Sequence, residues 1–266
     1  MAGLATPSGR GLFLSANARR GLNSQAFRWA IAPSLVAWLG LIAFAADGFE
    51  PAVCLSPKTD AVHGLIGALG ASLAGLNPAA LAIGWGLMLM AMMGPLLAPM
   101  ISYVAARSFA DRRDLSAGLF VAGYGSVWIG AAAAAFAILL LLHALTLYAG
   151  LGVYAGLLGA AGAAAWQLSK AKQRALNRCH GVRPLRASGR AANADAARFG
   201  LLHGWRCVRA CAPTMFLTMI GAHALMTMAV VFVVLLAERT GARPRQRGAA
   251  ALLLLTGVLS TPLALP

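Results

Sequence analysis

Negative charge is what this sequence has least of. The 266-residue chain holds 7 Asp plus Glu against 22 Lys plus Arg, and charged residues make up only 11% of it. Soluble domains carry about 25% charged residues, so a soluble single-domain enzyme is excluded as the starting class. The long apolar runs contain no carboxylate, which removes magnesium, calcium and di-iron sites that depend on oxygen donors. Cysteine is also sparse: Cys54, Cys179, Cys207 and Cys211 do not space out as a disulfide framework. The 30 glycines follow no period, which excludes a collagen-like repeat. Gly-x-Ser-x-Gly, a Walker loop, a strand-borne Gly-x-Gly-x-x-Gly and paired carboxylates are all missing, so no catalytic template is present. The net charge of +15 has no nucleic-acid-binding module behind it, and no nucleic-acid partner is expected.

Apolar sequence dominates instead, at 60% hydrophobic residues and a mean hydropathy of +0.74. Uncharged stretches near the length of about 20 residues needed to cross a bilayer recur along the chain. Trp29 to Ala46, Pro78 to Val104, Ser116 to Leu142 and Tyr148 to Ser169 read as four spans, with a brief turn around His143 between the last two. The stretch from Phe199 to Ala237 reads as two spans reversing near Gly221, and Gly248 to Leu265 as a seventh. Clusters of arginine and lysine mark cytoplasmic loops. Arg10, Arg19, Arg20 and Arg28 precede the first span, and Arg107, Arg112 and Arg113 lie between the second and third. Eight cations fill the loop from Lys170 to Arg198, and Arg239, Arg243, Arg245 and Arg247 precede the last span. All of these fall on one side when Ala61 to Leu76, short and rich in glycine, is read as a re-entrant or interfacial element.

The expectation is an all-α polytopic transmembrane helix bundle of about seven spans with a cytoplasmic N-terminus, in a bacterial inner membrane. Residues 1–28 form a basic cytoplasmic segment and 29–266 a single transmembrane domain, with an external segment 47–77 and a basic cytoplasmic loop 170–198. The first span has a small-residue site, Ala43-Phe44-Ala45, but exceeds the usual h-region of about 7 to 15 residues and reads as an anchor.

The feature richest in chemistry is a row at fourfold spacing: His203, Cys207, Cys211, Met215, Met219 and His223. Residues four apart stand on nearly one helix face, drifting by about 40 degrees per step. Thiolate, thioether and imidazole form a donor set suited to monovalent copper. A second soft cluster, Met88, Met90, Met92, Met93 and Met100, lies in the second span around Pro95 and Pro99. At about 1.5 Å of rise per residue, Met93 sits roughly 16 Å from the inner end near Val104, and Cys211 roughly 16 to 18 Å from that near Phe199. The two clusters are therefore expected at one depth. Cys179 beside His180 in the basic loop offers a further thiolate and imidazole pair, because neighbouring arginines lower a thiol pKa. Cys54 with His63 is a weaker pairing in the external segment. The competing reading makes the methionines packing residues of a non-catalytic structural or assembly subunit. A third is a haem-binding electron carrier using His203 or His223.

The order of these pieces resembles the bacterial family of predicted metal-binding polytopic membrane proteins whose best-known members act as membrane copper chaperones for tyrosinase. The resemblance rests on Leu87 to Met100, on Gly123-Tyr124 with Trp128, on the Lys172 to Cys179 loop, and on His203-Gly204 through Cys207, Cys211, Met215 and Gly221 to Glu238. It implies a non-enzymatic chaperone or metallation factor that holds copper and hands it to a partner cuproenzyme such as a tyrosinase-like or membrane-bound one. The chain departs from the family pattern at Ala175, where a first loop cysteine is usual, at Arg209 to Ala212, where paired cysteines and a tryptophan are usual, and around His223-Ala224.

Overall fold

The computed structural model describes residues 25–46, 78–148, 155–179, 181–216, 224–240 and 246–260, and among these no strand occurs. The helices are α1 (Ala32–Ala46), continuous with a π-helical segment Phe27–Ile31, then α2 (Pro78–Ala106) and α3 (Arg113–Tyr148). After them come α4 (Ala155–Leu168), α5 (Lys170–Cys179), α6 (Gly189–Phe216), α7 (Ala224–Thr240) and α8 (Gln246–Ser260). Three stretches, Phe27–Ala46, Ala82–Ala106 and Ala110–Leu142, are long and apolar enough to cross a membrane. The core lies where α2, α3 and α6 meet, flanked by α1, α5 and α7.

The tightest seam joins α3 to α6. A methyl group added at Gly200 would collide with the Phe120 carbonyl, and one at Gly123 with the Ala197 carbonyl; at Gly204 it would stand 3.0 Å from the Tyr124 carbonyl. Small residues let backbones approach closely where helices have no water to escape from. Around the seam Phe199 packs on Phe120 at 5.3 Å and on Tyr103 at 6.0 Å between ring centroids, which brings α2, α3 and α6 level with one another.

The second seam joins α1 to α2 and answers a problem set by proline. Pro95 has no N–H to give the Ala91 carbonyl one turn earlier. That carbonyl instead accepts from Ser34 Oγ at 2.7 Å and from Trp38 Nε1 at 3.1 Å, both on α1. The helix therefore runs through Pro95 and Pro99 from Pro78 to Ala106. Gly94, one residue before Pro95, lets the Ala30 carbonyl come within 2.6 Å of where a Cβ would be.

Two expectations are corrected. No turn forms at His143: α3 continues to Tyr148, since the run from Leu139 to Tyr148 holds neither glycine nor proline to break it. The segment 170–198 is not simply a solvated loop, because its first third is helix α5 and its last ten residues open α6. α5 has a polar face and an inward stripe of Lys172, Leu176 and Cys179, all buried. Lys172 is thus not a cytoplasmic surface charge. Its Nζ stands 3.1 Å from Glu238 Oε2 on α7 and 3.4 Å from Thr214 Oγ1 on α6. Gln167 bridges the pair, accepting from Lys172 and donating to Glu238. Outside the core, Arg186 clamps Asp195 with two side-chain bonds of 2.7 and 2.8 Å, tying the segment before α6 to its first turns. Residues 47–77, the reversal near Gly221, residues 241–245 and residues 261–266 lie outside the described residues.

Two substitutions test these contacts. Gly200→Ala should lower stability by about 1–3 kcal/mol through overpacking against backbone, whereas Gly125→Ala, whose added methyl meets nothing within 4 Å, should be neutral or stabilising. Thermal unfolding in detergent would compare them, and equal midpoints would refute the close seam. Lys172→Met leaves Glu238 buried without a cation and should cost about 3–5 kcal/mol. The double variant Lys172→Met with Glu238→Leu should regain most of that loss by the same assay.

Candidate metal centre

Helix α6 carries the centre because its fourfold spacing turns Cys207 and Cys211 toward the core on successive turns, and both are buried. Their Sγ atoms stand 4.0 Å apart. From α2, buried Met93 places its Sδ 3.9 Å from Cys207 Sγ. Three sulfurs at the corners of a triangle with edges of about 4.0 Å would each lie about 2.3 Å from its centre, the length of a metal–thiolate bond. Two edges of such a triangle are present here.

Two donors from other helices converge on the same Cys207 sulfur. Tyr124 Oη on α3 donates to Sγ at 3.2 Å, and the Arg239 guanidinium on α7 donates to it at 3.3 Å. Tyr124 is buried and held by the seam, since Gly204 packs on its carbonyl and Gly200 against its amide nitrogen. Arg239 follows Glu238 in the chain, so the buried Lys172–Glu238 pair anchors the turn from which the guanidinium reaches the sulfur. Cys179, on the inner face of α5, is also buried and close enough to feel the charges of Arg239, Arg206 and Cys207. The arginines do not turn it into a thiolate: burial is the larger effect and pushes its thiol up to about 12. Arg206 donates to the Gly181 carbonyl at 3.1 Å and pins the chain just after α5, while Arg209 is exposed.

The other predicted ligands divide into three groups. His203 is buried one turn before Cys207, inside an aromatic box of Phe120, Tyr124 and Phe199 at 5.9, 6.0 and 5.9 Å between centroids. Met215, Met88 and Met92 are buried in the same core, whereas Met100 is half-buried and Met90 exposed. Met219, His223, Cys54, His63 and His180 lie outside the described residues. Among the described residues, no group of three or more His, Cys, Asp or Glu side chains is arranged to hold a metal. The described donors that do come together join a thioether sulfur to two thiols, a set suited to a soft ion.

Sequence reasoning missed the two polar groups on Cys207. Tyr124 entered only through a family resemblance, and Arg239 was counted as a cytoplasmic charge that orients a span. A charged residue at the end of an apolar helix was the available signal, because such residues commonly mark functional sites in membrane proteins.

No curated protein and no solved structure matches the chain. A family model described as PpoB2, copper chaperone, matches residues 82–260, a range that holds Met93, Tyr124, Cys179, Cys207, Cys211 and Arg239. The match covers well over half of the sequence and all of the helices that build the sulfur cluster, and the chain therefore belongs to the PpoB2 copper chaperone family.

Proposed function

We propose that this protein is a multi-pass inner-membrane copper chaperone that holds one monovalent copper ion between Cys207, Cys211 and Met93 and passes it to a cuproenzyme. The contact of Met93 with Cys207 carries the reading. It joins a thioether from α2 to a dithiol on α6 in a buried setting, the donor softness that monovalent copper prefers and zinc or magnesium does not require. A thioether binds copper less firmly than a thiolate, which suits an ion that has to leave. Transfer proceeds by ligand exchange, with the buried sulfurs of Cys179 and Met215 as further donors. No covalent transformation is involved. Three long apolar helices support the membrane location, and α4, the part of α6 from Phe199 onward, α7 and α8 supply the remaining four crossings of the seven-span arrangement.

Copper content per purified chain tests the site. Cys207→Ser with Cys211→Ser should lose most of the bound monovalent copper, while Cys54→Ser should keep it. Met93→Leu preserves volume at a cost of less than about 1.5 kcal/mol and should weaken copper binding while the protein stays folded. Met90→Leu, at an exposed position, should bind like the parent. Undiminished copper in the double cysteine variant would remove the sulfur cluster from consideration. Orientation is tested separately with Arg183→Cys, placed on an exposed stretch between α5 and α6. On a Cys54→Ser background, which removes the thiol of the external segment, a membrane-impermeant maleimide should reach the new cysteine only after the membrane is opened, and its labelling in intact spheroplasts would reverse the topology.

A further inference from the structure

Arg239 is a half-buried cation that has no carboxylate partner among the described residues. The ion pairs among the described residues are Arg28–Asp114, Lys172–Glu238 and Arg186–Asp195, and none of them includes Arg239. Glu238, next in the chain, is occupied by Lys172 and Gln167. Its guanidinium instead donates to Cys207 Sγ at 3.3 Å, and that sulfur also has Tyr124 Oη at 3.2 Å and Cys211 Sγ at 4.0 Å, groups that are all neutral when protonated. An uncompensated charge in a low-dielectric interior is costly. Placing one against the sulfur cluster of a metal carrier calls for a negative charge that arrives there at some stage.

We propose that Arg239 is the built-in counter-charge of the metal-loaded Cys207–Cys211 pair and sets the site's preference for a monovalent over a divalent ion. The inference rests on the copper-binding reading above. The arithmetic is direct. Two thiolates contribute minus two and monovalent copper plus one, leaving minus one, which Arg239 cancels. With a divalent ion on the same two thiolates the ligated centre is neutral, and Arg239 leaves the cluster at plus one. Opposite unit charges in close approach attract far more strongly at the reduced dielectric of a partly buried site than in water, so the two loaded forms differ enough to select between them. The two thiolates by themselves leave this distinction open, because thiolates also bind zinc, and the charge of Arg239 adds to the preference that the Met93 thioether gives. Lys172 has the matching role of a guard: by pairing with Glu238 it keeps that carboxylate from neutralising Arg239 and leaves the guanidinium for the sulfurs.

The test compares affinities for monovalent copper and for zinc, each by competition with a chromophoric chelator under reducing, oxygen-free conditions, on the full chain in detergent. Arg239→Gln keeps an N–H donor for Cys207 and removes the charge. The ratio of copper to zinc affinity should fall at least about tenfold, with zinc binding unchanged or tighter. Arg239→Lys keeps the charge on a shorter arm and should hold the ratio within about threefold of the parent. An unchanged ratio in the glutamine variant would overturn the counter-charge role. Should that variant fail to fold, the lysine variant decides: a preserved ratio supports the role and a tenfold fall overturns it. A parent protein that binds no monovalent copper would instead overturn the chaperone reading itself, an outcome separate from any change in ratio.

Discussion

Everything around the sulfur cluster depends on two helix backbones that touch. Where α3 crosses α6, Gly123, Gly200 and Gly204 leave no room for a side chain, and peptide groups pack directly on peptide groups. A seam this close fixes the rotation of both helices, because a turn of either by a few tens of degrees would drive a Cβ into a carbonyl. That rotation sets Tyr124 on one side opposite Cys207 on the other. It also puts the histidine box of Phe120, Tyr124 and Phe199 one turn away, so the helix holding the thiols is gripped by large rings just where it meets the core. Interiors packed in this way have discrete arrangements rather than graded ones, and the distances around Cys207 are held by the seam more than by the thiols themselves.

Charge is distributed with the same economy. Among the described residues most of the cations are exposed, but Lys172 is buried and Arg239 half-buried. One is matched by a carboxylate and the other is left facing sulfur. Buried ion pairs contribute little net stability compared with apolar residues of similar size, so the retention of Lys172 and Glu238 in an otherwise oily interior is better explained by what they position than by what they hold together. They fix α5 against α6 and α7, and with it the buried Cys179.

The helical class was legible from composition, and the boundaries of α1 and α2 follow closely from where apolar residues begin and charges resume. Helical rise leads to the expectation of Met93 level with Cys211, whereas the sulfur that Met93 Sδ meets at 3.9 Å is that of Cys207, one turn earlier on α6. Three other features were not legible. Helix α5 was hidden because a cationic run reads as solvated loop, and only its period of Lys172, Leu176 and Cys179 hints at an inward face. The continuation of α3 through His143 was obscured by a polar residue taken as punctuation, although helices end at glycine, proline or caps rather than at a lone histidine. The convergence of Tyr124 and Arg239 on one sulfur involves residues 83 and 32 positions from Cys207 along the chain, and no local pattern reports a meeting of that kind.

The bonds from Ser34 and Trp38 to the Ala91 carbonyl bear on how the protein matures. A proline in the second helix leaves that oxygen without its usual donor, and an exposed peptide group in hydrocarbon costs several kcal/mol. Both replacement donors come from the segment that, as a sequence, has the look of an export leader. If a peptidase released that segment and the cell degraded it, the second helix would be left with an unsatisfied carbonyl two residues before Met93 and an open groove at Gly94. The leader-like helix is thus the missing half of its neighbour's backbone chemistry, and the stretch of α2 that sets Met93 beside Cys207 is completed by donors from α1.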